Sequence, residues 1–170
     1  AFTIDGKGYL GTGQGPTTQA QPPMPTFLKD FWRFDPSSGA WTQMADFGGV
    51  ARGNAVGFAV SGKGYIGTGA IFSGPTPTLY NDFWEYDPSS NTWSQKAVFP
   101  GTARFNAAGF AIGGKGYIGT GSDGAQIFKD FYEYDPAGNA WSQKTDFLGD
   151  ARMTATGLAI GDKGYLGLGV

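Results

Sequence analysis

Gly62-Lys63-Gly64-Tyr65-Ile66-Gly67-Thr68-Gly69 decides the fold, because the stretch does not stand alone. The same positions read Gly6-Lys7-Gly8-Tyr9-Leu10-Gly11-Thr12-Gly13 and Gly114-Lys115-Gly116-Tyr117-Ile118-Gly119-Thr120-Gly121. A further copy is Asp162-Lys163-Gly164-Tyr165-Leu166-Gly167-Leu168-Gly169. Between copies lies a second block, Asp30-Phe31-Trp32-Arg33-Phe34-Asp35-Pro36, closing at Trp41; it returns from Asp82 to Trp93 and from Asp130 to Trp141. Self-similarity at a period of about 20–50 residues marks an array of small units that bury their faces on one another.

The spacings separate a frame from a variable part. From the block's first Asp to its Trp is 11 residues in every copy, and so is the step from that Trp to the next Arg (Arg52, Arg104, Arg152) and from that Arg to the next Lys. Yet the interval between Lys7, Lys63, Lys115 and Lys163 shrinks from 56 to 52 to 48 residues. All of the change falls after the Gly-Thr-Gly, where segments 14–29, 70–81 and 122–129 hold 16, 12 and 8 residues. Loops that vary on a constant scaffold are where binding residues collect.

Each repeat reads as four short strands. Strand one is Gly57-Phe58-Ala59-Val60, echoed by Gly109 to Ile112, Gly157 to Ile160 and Ala1 to Ile4. Strand two follows the Ser61-Gly62 turn, strand three is Phe83-Trp84-Glu85-Tyr86, and strand four carries Trp93 after Asp87-Pro88-Ser89-Ser90-Asn91. Asp-Pro with Ser and Asn is turn chemistry: Pro presets φ and Asn tolerates the left-handed region. No stretch holds a 3.6-residue period, and Gly and Pro punctuate too densely for helices. Four antiparallel strands per repeat of about 50 residues describe β-propeller blades. Trp41, Trp93 and Trp141 are expected to fill the space between blades, Tyr9, Tyr65, Tyr117 and Tyr165 to hold a constant structural place, and Gly67 to let neighbouring sheets approach closely.

Composition narrows the chemistry. Of 170 residues, 30 are Gly, more than double the average share of about 7 %. There is no Cys and no His, which removes thiolate and imidazole metal sites and His- or Cys-based catalysis from this chain. A net charge of −2 argues against nucleic acid as partner. No apolar run approaches the roughly 20 residues of a bilayer span, so no membrane insertion is expected. The start at Ala1-Phe2-Thr3-Ile4 shows neither an initiator Met nor a signal sequence, and a terminus that is processed, trimmed or cut from something longer is expected.

These residues resemble the kelch repeat. Arg52, Tyr65, Gly69, Tyr86-Asp87-Pro88 and Trp93 match one repeat of that family, and Arg104, Tyr117, Gly121, Tyr134-Asp135-Pro136 and Trp141 match the next. One departure recurs: the family's Gly doublet is here Thr12-Gly13, Thr68-Gly69, Thr120-Gly121 and Leu168-Gly169. The resemblance implies an all-β, kelch-type propeller with about three and a half blades in this chain: 1–51, 52–103, 104–151 and a half blade, 152–170. It also implies a secreted or cell-surface bacterial protein. A ring would then be completed either by further blades of the same polypeptide or by self-association.

The candidate residues each carry two readings. Arg52, Arg104 and Arg152 would hold an anionic ligand, or pair with a neighbouring Asp once per blade; recurrence favours the second. Asp30, Asp82 and Asp130 read as turn or loop caps, and Lys7, Lys63, Lys115 and Lys163 as solvated turn residues. Trp32, Trp84 and Tyr132 read as packing between strands rather than as a platform. Asn54, Asn106 and Thr154, two residues after each Arg, suit hydrogen bonding to a neutral ligand, or cap strand one. In the variable loops, Gln14, Gln19, Gln21, the run Pro22-Pro23-Met24-Pro25, Phe72 and Gln126 are free to specialise, while Phe27, Tyr80 and Phe128 fasten each loop to its blade. Gly-Lys-Gly and Gly-Thr-Gly lack the phosphate-loop spacing.

The function expected from sequence is a non-catalytic binding or scaffold module for a glycan or protein, with no cofactor, no metal and no enzymatic activity. The alternatives are a segment of a larger kelch-type carbohydrate-active enzyme, oxidase- or epimerase-like, whose catalytic residues lie elsewhere, and a structural spacer.

Overall fold

The computed structural model describes residues 1–17 and 24–170. The first repeat is a sheet of β1 (Phe2–Ile4), β2 (Lys7–Thr17), β3 (Pro25–Asp35) and β4 (Ala40–Gln43), in that order. The second places β5 (Val56–Val60), β6 (Lys63–Gly67), β9 (Phe83–Asp87) and β10 (Thr92–Gln95) side by side, with a two-stranded ribbon of β7 (Ala70–Ile71) and β8 (Thr78–Leu79) between. The third is β11 (Ala108–Ile112), β12 (Lys115–Gly119), β13 (Phe131–Asp135) and β14 (Ala140–Lys144). The last pair is β15 (Thr156–Ile160) and β16 (Lys163–Gly167). All pairing within these sheets is antiparallel, and the first strands of successive repeats lie beside one another.

Local chemistry explains the hairpins. Strands one and two join through Asp5-Gly6 (φ 49° and 72°), Ser61-Gly62 (50° and 76°) and Gly113-Gly114 (58° and 75°). Positive φ at both central residues is the type I′ turn, whose twist matches that of the flanking strands. Strands three and four join through the Asp-Pro turns. There Asp35, Asp87 and Asp135 accept from the backbone N–H two residues on. The same carboxylates pair with Lys7, Lys63 and Lys115. These three lysines are therefore paired across the sheet, not simply solvated as expected. Lys7 and then Ser37, and Lys63 and then Ser89, hold Asp35 and Asp87 well below the usual carboxylate range.

The core lies between blades. Ile4, Tyr9, Phe31 and Phe47 of the first repeat bury against Ile66 and Tyr86 of the second. Val56, Phe58, Tyr65, Phe83 and Phe99 do the same against Ile118 and Tyr134. The close approach between sheets is made at the second Gly of Gly-Lys-Gly-Tyr. A methyl group at Gly116 would lie 2.1 Å from the Phe58 ring, and one at Gly64 2.3 Å from the Phe2 ring. Gly67, expected to serve that role, instead faces Phe83 of its own sheet at 2.6 Å. Phe58 is buried and has nowhere to go, so Gly116→Ala is expected to cost about 1–3 kcal/mol by overpacking. Thermal melts should show a loss of several degrees; an unchanged midpoint would contradict the packing.

The interblade tyrosines set the alkaline limit. Burial pushes the phenols of Tyr86 and Tyr134 up to about 12. Burial, with a hydrogen bond donated to Glu133, does the same for Tyr117. Tyr65, buried and donating to Glu85, lies higher still. A phenol with a raised folded pKa contributes fully below its unfolded value near 10. That contribution is lost as pH rises through about 12. Cooperative loss of circular dichroism together with tyrosinate absorbance is expected between about pH 10 and 12. Ionisation of Tyr86 and Tyr134 near pH 10 in a folded chain would refute this.

Candidate functional site

One face of the blades collects most of the candidate residues. It is built from the segment before each strand one and from the hairpin after each strand two. Backbone bonds tie the two: Gly13 N–H donates to Arg52 O, Gly69 N–H to Arg104 O and Gly121 N–H to Arg152 O, each at 2.8 Å. The variable segments are hairpins, not open loops. β2 and β3 continue pairing through Gln14↔Phe27 and Thr17↔Pro25, β7 pairs with β8, and Ser122 bridges Ile127. Gln19, Gln21 and Pro22-Pro23 lie outside the described residues.

Asn54, Asn106 and Thr154 form a row across this face. Asn106 N–H donates to Asn54 O at 3.1 Å and Thr154 N–H to Asn106 O at 3.0 Å. All three are left-handed, with φ of 56°, 55° and 57°. Asn adopts this conformation readily, while β-branched Thr is an outlier there. The row is linked from repeat to repeat by these backbone bonds. The Asn54 and Asn106 carboxamides make no hydrogen bond among the described residues, whereas the Thr154 hydroxyl donates to Met153 O at 2.6 Å. Asn54 and Thr154 are exposed and Asn106 half-buried.

Phe72 sits within an aromatic line. Its ring centroid lies 6.5 Å from Phe27 and 5.1 Å from Phe105. Gln14 is exposed on β2 opposite Phe27. Gln126 is exposed at the tip of the third hairpin, where Asp123 accepts from the N–H groups of Ala125 and Gln126. Those bonds hold the Asp123 carboxyl below its ordinary range, so it stays ionised at neutral pH.

Arg52 and Arg104 do not belong to this exposed row. Both are fully buried. Arg104 makes a two-pronged pair with Asp130, the Nη2 arm at 2.8 Å, and donates to Thr102 O and Thr120 O. Its guanidinium lies 4.2 Å from the Phe128 ring centroid and 5.1 Å from that of Phe99. Arg52 repeats the arrangement with Asp82, Tyr80 and Phe47. As ligand residues these two are corrected: their charge is spent on the blade. Asp82 and Asp130 are likewise ion-pair partners rather than loop caps, and Tyr80 and Phe128 are cation–π partners of the buried arginines. Arg152 is half-buried, donates to Asp150 O and Leu168 O, and has no carboxylate partner among the described residues.

The repeated aromatics divide by position. Trp93 packs on Phe31 and Phe47 of the preceding repeat, and Trp141 on Phe83 and Phe99. Trp41 fills no interblade space: it is 53 % exposed and packs at a tilt against Phe34 of its own sheet. Tyr9 and Tyr65 are buried, Tyr117 half-buried, and Tyr165 49 % exposed. Sequence reading missed the Tyr65–Glu85 and Tyr117–Glu133 bonds, although Tyr and Glu recur at fixed strand positions in both repeats. In the first repeat Arg33 stands where Glu would, opposite Tyr9. No group of three or more metal-ligating side chains occurs among the described residues.

Three comparisons place this geometry. No family model matches the chain. The solved structure of YjhT superimposes with a TM-score of 0.75 over 94 % of this chain and 55 % of that one, at 17 % identity. The fold is that of kelch-like β-propeller blades. Over 67 residues the chain is 37 % identical to an N-acetylneuraminate epimerase of Yersinia enterocolitica serotype O:8 / biotype 1B (strain NCTC 13174 / 8081); that stretch is 38 % of this chain and 17 % of the relative. The propeller segment thus spans about half of YjhT, and its match to the epimerase covers a smaller share still. The epimerase relative overturns the expectation of a non-enzymatic chain. Absence of His and Cys removes particular chemistries, but Tyr, Arg, Asp and Glu also transfer protons and stabilise charge.

Proposed function

We propose that this chain is a propeller segment of a carbohydrate-active enzyme, and that its hairpin face binds a sugar of the N-acetylneuraminate kind. The observation that carries the reading is the 37 % identity to an N-acetylneuraminate epimerase over 67 residues. The geometry supports it. The unengaged carboxamides of Asn54 and Asn106 offer donors and acceptors suited to hydroxyl and N-acyl groups. Phe72 and Phe105 offer an apolar flank beside them. Asp123 is held ionised and is a poor general acid.

Saturation-transfer NMR with N-acetylneuraminate tests the reading. Transfer to the sugar's ring and N-acetyl protons is expected, falling by at least about half in the Asn54→Gly/Asn106→Gly double variant. Gly keeps the left-handed backbone at both positions, so the change removes only the carboxamides. No transfer, or equal transfer to the variant, would defeat the proposal. Equal transfer to glucose would defeat the substrate class while leaving a sugar site.

A further inference from the structure

The repeat separates aromatic rings that every blade needs from rings that it does not. Three residues after Gly13, Gly69 and Gly121 stand Pro16, Phe72 and Gly124. Directly after Arg52, Arg104 and Arg152 stand Gly53, Phe105 and Met153. Phe72 and Phe105 therefore occupy positions where the other repeats carry no aromatic ring. Yet the two meet, with centroids 5.1 Å apart and planes at 84°. Phe27 adds a third ring, 6.5 Å from Phe72. None of the three belongs to the buried clusters between blades. All three are half-buried, so part of each ring is open to solvent. An apolar patch that the frame does not require, set among variable hairpins, points to a ligand rather than to packing.

The line of rings runs beside the asparagine row. Gly53 is buried, and a methyl group there would lie 3.3 Å from the Phe27 ring. Glycine thus lets that ring lie against the chain immediately before Asn54. At the other end, Phe105 immediately precedes Asn106. The two asparagines are themselves linked, Asn106 N–H donating to Asn54 O at 3.1 Å. Each Asn therefore adjoins one end of the aromatic line, and Phe72 bridges the ends. A carboxamide offers a donor and an acceptor. An aromatic ring offers apolar surface. Side by side they match a group that is half amide and half alkyl. In an N-acetylated sugar acid that group is the N-acyl substituent; the hydroxyls and the carboxylate have no apolar end.

We infer that Phe27, Phe72 and Phe105 form the acyl-selective part of the sugar site, with Phe72 as the specificity-determining residue. The acyl methyl packs on the rings. The acyl N–H and C=O exchange hydrogen bonds with the carboxamides of Asn54 and Asn106. This assignment rests on the sugar-binding reading above and names the substituent that the chain recognises. Phe72 touches both other rings, so its removal leaves Phe27 and Phe105 without a bridge between them.

The test is a pair of ligands that differ by one methyl group, N-acetylneuraminate and its N-formyl analogue, titrated against the chain by saturation-transfer NMR. The N-formyl analogue is expected to bind about tenfold more weakly. That is the lower end of what a missing carbon is worth in an apolar site, because the rings are half-buried. Irradiating the aromatic protons should transfer saturation to the acetyl methyl more strongly than to the sugar's other protons. Against Phe72→Ala the difference between the ligands should shrink to about twofold or less, as a coupled pair requires. The ligand pair leaves the protein untouched, and Phe72 lies outside the interblade clusters, so folding does not confound the comparison. Equal binding of the two ligands to the unaltered chain would overturn this assignment alone. So would a methyl preference that survives in Phe72→Ala. No binding of either ligand would overturn it together with the function it rests on.

Discussion

Arg104→Ala is expected to lower the free energy of unfolding by about 3–5 kcal/mol, the cost of breaking a buried ion pair from one side. The guanidinium is fully buried, and its removal strands the Asp130 carboxylate and the carbonyls of Thr102 and Thr120. It also leaves the rings of Phe99 and Phe128 facing a void. For a chain of this size about 2–4 °C of melting temperature accompanies each kcal/mol, so a fall of roughly 6–20 °C should appear. The same change at Arg152, half-buried and without a carboxylate, should cost about 1 kcal/mol or less. A double variant, Arg104→Met with Asp130→Leu, should lose less than Arg104→Ala alone, because no charge is then left unpaired. Equal losses at Arg104 and Arg152 in denaturant titrations would contradict the ion-pair account.

Trp141→Ala is expected to cost about 3 kcal/mol, toward the lower end of the range for large aromatics in cores because the ring is only half-buried. The indole touches Phe83, Phe99 and Tyr134 and donates to Ala97 O. Trp41→Ala, the same substitution at the same repeat position, should cost about 1 kcal/mol or less, since more than half of that side chain is already in water. Paired urea melts measure the contrast. A Trp41 variant as damaged as the Trp141 variant would mean that the ring serves its own sheet rather than the junction.

Much of the fold was legible because its causes are local. The type I′ turns need Gly at a set place, and the Asp-Pro turns need an Asx side chain two residues ahead of its donor. The fixed 11-residue steps hold these turns in phase. The hairpin character of 14–29 was not legible, because pairing such as Gln14↔Phe27 depends on two strands outrunning the sheet together, without a turn motif to announce it. The candidate site was half legible. The phase of Asn54, Asn106 and Thr154 behind each Arg marked a row, but their shared left-handed backbone and the bonds that link them come from the contacts between blades. The status of Phe72 required a neighbour from each adjacent repeat.

The chain by itself determined the repeat, its four strands, the turns and the residue types absent from its chemistry. Each of these follows from φ preferences, side-chain alternation or composition within one repeat. Only the tertiary structure decided which member of a repeated set is buried, paired or free. Trp41 and Trp141, or Arg152 and Arg104, are equivalent in sequence, yet their surroundings come from a different blade. Burial and pairing are properties of a junction between repeats, and no single repeat contains one.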